Sequence, residues 1–160
     1  FGRIEDMIQV VYSTKGGIAM ETSNVPHPAT DDQGKLLLRV LLAVLLLFHG
    51  VSKLIGGIGM ITGMLDKLGI PHVIGYGVYV GEVIAPLLML VGLFTRAAAL
   101  VVVINMIVAL LLVHTKQFFT LNETGGWALE LQGMYLGAAL AVALLGAGRY
   151  SLGGTTGRFN

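Results

Sequence analysis

The sequence predicts an all-α integral membrane protein: a four-helix transmembrane bundle with both termini cytoplasmic and a short amphipathic segment between spans 1 and 2. Three observations predict it. Of 160 residues, 55% are apolar and only 12% are charged, against about 25% charged in soluble domains. Mean hydropathy is +0.82. The apolar residues also gather into four windows of the roughly 20 residues that cross a bilayer core. Backbone in lipid must satisfy its own N–H and C=O groups, so each window is expected to be a helix.

Composition excludes several function classes. A net charge of +1 supplies no basic field for nucleic acid. The chain has no cysteine, which removes disulfides, thiolate chemistry, cysteine-bound iron–sulfur clusters and c-type haem attachment. Its 23 glycines follow no Gly-X-Y period and suit close helix packing in lipid.

Residues 1–34 are polar and mixed, and read as a tail with little fixed structure. Within them Met20-Glu21-Thr22-Ser23-Asn24 resembles a translation start, so residues 1–19 are expected to be an upstream extension or a remnant of expression. The membrane domain occupies 35–152, and 153–160 form a C-terminal tail. The first span covers Leu36–Ile55, with Arg39 near its start and Lys53 near its end. Its core is too long for a cleavable signal, and no small-x-small site follows it. Next, 56–72 (GGIGMITGMLDKLGIPH) is expected to lie on the outer surface as an amphipathic lid. The second span, Gly75–Phe94, carries Glu82 as its only acid. The third, Ala97–His114, is uncharged apart from its final histidine and contains Asn105. The fourth, Trp127–Gly146, contains Glu130 and Gln132. Lys35, Arg39, Arg96, Arg149 and Arg158 at one set of ends outnumber Lys53, Lys67 and Lys116 at the other, which places both termini in the cytoplasm.

Ionisable residues inside a span are expensive, so they are candidates for function. At 1.5 Å per residue, His49 lies roughly 9 Å, Glu82 roughly 10 Å and Glu130 roughly 5 Å below the outer edge, with Lys53 and His114 near the edge itself. His49 and Lys53, four residues apart, share a helix face. Pro86, four residues after Glu82, offers no N–H to the Glu82 carbonyl and favours a kink. Glu130 shares a stripe with Gly133 and Gly137, which points it toward a closely packed helix. Asn105 lies half a turn round from His114 and should face away from the others. Trp127, Tyr76 and Tyr79 read as an interfacial aromatic belt.

These residues suit a partly buried acid–base pocket under the lid. His49 and Glu82 are the expected proton-handling (catalytic) groups, while Lys53, Glu130 and His114 bind substrate. Apolar walls around such a pocket fit a quinone headgroup or a small polar solute. Blander alternatives stand beside this: Lys53 snorkelling to headgroups, or a Lys53–Glu82 ion pair that only locks the bundle. No metal is expected, because a di-iron bundle needs Glu-x-x-His and the residues three after Glu82 and Glu130 are Ala85 and Gly133. No cofactor is expected to be covalently bound, and a bis-histidine haem b between His49 and His114 is the poorer fit. Walker, GxSxG and HExxH motifs are absent from the sequence.

Between Leu36 and Leu152 the sequence resembles the DoxX family of small four-span membrane proteins. The resemblance rests on RVLLAVLLLFHGVSKL, LGIPH, GEVIAPLLMLVGLFTRAAAL, His114 and GAGRYSLGG, in that order. The family's His/Gly…Lys-Leu falls on His49, Gly50, Lys53 and Leu54, its second-span acid on Glu82, and its Gly-Leu-x-Thr-Arg turn on Gly92, Leu93, Thr95 and Arg96. Its closing pattern departs at Ala147, where proline is usual. The resemblance implies a multi-pass protein of the inner (plasma) membrane linked to redox metabolism. Relatives include a subunit of an archaeal thiosulfate:quinone oxidoreductase and a membrane partner of mycobacterial detoxification enzymes. The leading expectation is therefore a quinone-interacting membrane subunit that meets other redox subunits or further copies of itself. A non-catalytic scaffold and a solute or proton-coupled carrier are the alternatives, the carrier disfavoured by the lack of inverted repeats.

Overall fold

The computed structural model describes residues 29–154, 157, 159 and 160. The proposed translation start and most of the N-terminal tail lie outside the described residues, as do Arg3, Lys15 and Arg158. Two long helices open and centre the fold: α1 at Ala29–Gly56 and α4 at Thr95–Val113, with a short α2 (Gly59–Lys67) and a composite α3 (His72–Val91) between them. After a loop that holds one isolated bridge, Leu121 to Trp127, α5 runs Glu130–Leu145. No strand is formed among the described residues.

The helix starts differ from expectation for electrostatic reasons. Helix α1 begins at Ala29, inside the expected tail, with Asp31 and Asp32 in its first turn where the helix N-terminus favours acids. Helix α5 begins at Glu130 rather than Trp127, again placing an acid in the first turn. Three helices, α1, α3 and α4, are long and apolar enough to cross a membrane. The fourth apolar helix, α5, has 16 residues and rises about 24 Å, less than the ~30 Å hydrocarbon core.

The core is built from small and flexible side chains that let helices approach closely: Leu42 and Leu46 of α1, Met89 of α3, Ala99 and Val102 of α4, and Ala139 of α5. Only 28–33% of the apolar windows of α1, α3 and α4 is buried inside the protein. Large side chains such as Phe48, Ile55, Leu100 and Leu111 face outward. Exposed apolar surface on this scale is intolerable in water and natural in a bilayer.

One end of the bundle is closed by backbone hydrogen bonds. Helix α3 stops at Val91 because Gly92 takes a left-handed conformation (φ 74°), leaving late carbonyls without helical partners. Arg39, buried from α1, donates to Met89 O (2.7 Å), Leu90 O (3.4 Å) and Tyr150 O. A Cβ at Gly92 would stand 2.4 Å from Arg39 Nη1, so this turn requires glycine twice over. Asp32 accepts from the Arg149 backbone N–H (3.0 Å). Thr95 Oγ1 donates to Asn160 Oδ1 (3.0 Å), tying the chain's last described residue to the start of α4.

Candidate functional site

The other end is hollow. A cavity of about 530 Å3 opens there, lined by α1, α3, α4 and α5 and by Met60, Ile61 and Leu65 of the short α2. The expected lid segment therefore does form a helix and does border the pocket. Leu65 is its buried anchor, seated beside Gly75.

Proline chemistry sets the geometry. Pro86 cannot donate to the Glu82 carbonyl, and the chain widens into a π-helix over Val80–Ile84. The Glu82 carbonyl is turned toward Gly50 of α1, where a Cβ would lie 2.3 Å from that oxygen and 2.7 Å from Val83 Cγ2. The missing side chain at Gly50 lets α1 and α3 meet. Three residues on, Lys53 Nζ sits 2.5 Å from Glu82 Oε2. The Glu82 side chain is only 8% exposed and that of Lys53 27%. A carboxylate so buried is stable as an ion only when paired, and the ammonium supplies the pair. Tyr79 donates its hydroxyl to the Lys53 carbonyl (3.1 Å), pinning the end of α1.

Two further polar contacts reach across to α5. The Tyr135 hydroxyl lies 3.4 Å from His49 Nε2, and the rings meet edge to face at 5.7 Å. Gln132 Nε2 lies 3.3 Å from His114 Nε2, while His114 Nδ1 lies 2.9 Å from Gln117 Oε1. The His114 ring is thus placed between Gln117 and Gln132. No cluster of three His, Cys, Asp or Glu able to hold a metal ion occurs among the described residues.

The structure thus brings His49, Lys53, Glu82 and His114 to one cavity. Glu130 stands outside it. Its carboxylate folds over the preceding turn, such that a Cβ on Gly126 would fall 1.7 Å from Oε1. Because α5 starts at Glu130, the residue occupies the exposed first turn and not the helix body. The stripe it was expected to share is not a helix contact. Gly133 lies under the Trp127 ring, and Gly137 has open space before it. Trp127 itself donates from Nε1 to Phe118 O (2.8 Å).

Asn105 reverses another expectation, because it lines the cavity. Reckoning its face from His114 fails because α4 ends at Val113 and His114 is already non-helical (φ −114°, ψ 11°). The lining of α4 includes Val101, Ile104, Asn105, Val108 and Leu112, which recur at helical spacing. Tyr135 and Gln132 also belong to the site. The phenol was overlooked because it carries no charge at neutral pH.

Comparisons with known proteins agree with the fold. The family model described as DoxX matches residues 34–115. The chain is 31% identical over 103 residues to the Bacillus subtilis (strain 168) protein named "Putative oxidoreductase CatD", covering 64% of this chain and 76% of that one. It is 29% identical over 103 residues to an uncharacterized protein of Haemophilus influenzae, covering 62% and 75%. No solved structure matches it significantly.

Proposed function

The chain belongs to the DoxX family of membrane proteins, and from that premise we propose that it is the membrane subunit of a redox system whose cavity receives a quinone headgroup. One observation carries the reading: a largely apolar cavity brings Lys53, Glu82, His49 and Tyr135 to its wall. A quinone has the matching division, an apolar tail and a polar ring. Reduction of a quinone to its quinol takes two electrons and two protons. In this reading a partner oxidoreductase subunit supplies the electrons. Glu82 and His49 pass the protons, and Lys53 holds a ring oxygen. His114, fixed by Gln117 and Gln132, shapes the far wall.

The same reading places the chain in the inner (plasma) membrane as four spans, with α5 completing its crossing through local thinning or its flanking aromatic residues. Basic residues at the Arg39 end favour both termini in the cytoplasm.

A scaffold role has one observation in its favour: the Lys53–Glu82 pair neutralises itself without any ligand. The two readings separate in a thermal-shift titration of the purified protein with a short-chain ubiquinone. Quinone binding raises the melting temperature of the wild type, and Glu82→Gln loses that rise. A scaffold shows no quinone-dependent rise in either protein.

A further inference from the structure

We infer that Asn105 is the residue that selects the cavity's ligand, by donating from its amide to a ring carbonyl; this rests on the quinone reading above. Asn105 packs flush against α3 at Gly81, where a Cβ would lie 2.5 Å from Asn105 Cγ and 2.8 Å from Oδ1. The Oδ1 edge therefore faces α3. The Nδ2 group is fully buried and has no hydrogen-bond partner. Two other buried polar atoms share that condition, Asp32 Oδ2 and Arg39 Nε, but both lie at the closed end on side chains already bonded elsewhere. Asn105 alone of the three borders the cavity.

A buried donor left unmade is costly, and a structural asparagine would be bonded across the helix pair it joins. Gly81 precedes Glu82, so Asn105 packs beside the residue that holds Lys53. The asparagine χ2 torsion is soft, and a small turn presents the N–H at the cavity wall. The cavity then offers two donors, the Asn105 amide and the ammonium protons of Lys53 that Glu82 does not use. Donors of this kind select a ligand rich in acceptors, which describes the carbonyls of an oxidised quinone and excludes a bare hydrocarbon ring.

The test compares binding of a short-chain ubiquinone and of an alkylbenzene with the same tail, to the wild type and to Asn105→Leu in detergent. Leucine keeps the volume and removes the unpaired donor. The expected result is quinone affinity about tenfold lower in the variant, unchanged alkylbenzene affinity, and a melting temperature equal to or above wild type. Asn105→Ala replaces it if leucine prevents insertion, with the same selective loss expected. Equal quinone affinity in variant and wild type overturns the assignment while leaving the quinone reading in place. A lowered melting temperature without selective loss of quinone affinity also overturns it, because Asn105 is then interhelical glue. Wild type that binds no quinone overturns the quinone reading itself.

Discussion

The two ends of this bundle each hold a cation from α1, Arg39 buried and Lys53 half-buried, and they do opposite things with it. At one end Arg39 donates to the backbone carbonyls of Met89, Leu90 and Tyr150. Those acceptors do not titrate or rotate away, and the arginine fork fixes three segments at once. At the other end Lys53 meets a side chain, Glu82, beside a cavity. That partner is a carboxylate, which in the quinone reading passes protons. Burial of a charge in a membrane protein therefore does not by itself mark function. What separates cement from a working site is whether the partner is backbone or titratable side chain, and whether space remains beside the pair.

Four substitutions sharpen or break that contrast. Arg39→Met should have the largest effect, about 3 kcal/mol or more, since buried carbonyls lose charged hydrogen bonds. Thermal melting in detergent would show a collapse that quinone does not rescue. Gly50→Ala comes next: its Cβ must displace the Glu82 carbonyl, costing about 1–3 kcal/mol and prising Lys53 from Glu82. Melting and quinone titration should fall together. Glu82→Gln removes the charge from the pair, and is expected to abolish quinone binding with a smaller loss of melting temperature. Should the melting temperature of Glu82→Gln fall as far as that of Arg39→Met, the two ends are equivalent and the contrast fails. Glu130→Gln should change neither stability nor binding, because the carboxylate is exposed and outside the cavity.

How much was legible follows from which quantities sequence determines. A rise of 1.5 Å per residue makes depth readable: it puts His49, Lys53, Glu82, Glu130 and His114 in the same outer third, and all of these but Glu130 line one cavity. The i,i+4 relation of His49 and Lys53 also survives, since both sit in the body of α1. Pro86 announced the freed Glu82 carbonyl. The π-helical widening and its fit against Gly50 depend on two helices meeting, which no single segment encodes. Faces were misread where a helix ends: Glu130 in the first turn of α5, and Asn105 reckoned from His114 beyond the last turn of α4. In both places the error followed from extending regular geometry past its boundary.

The central claim, that the cavity holds a quinone ring beside Lys53 and Glu82, is tested most directly by photolabelling. A photoreactive azido-quinone is irradiated with the protein in native membranes, and the labelled peptides are mapped by mass spectrometry. The account predicts label concentrated on the segments carrying Lys53, Glu82 and Asn105 and displaced by excess unlabelled quinone. Label spread over outward-facing residues such as Phe48, Leu100 and Leu111, and unaffected by competitor, would contradict it.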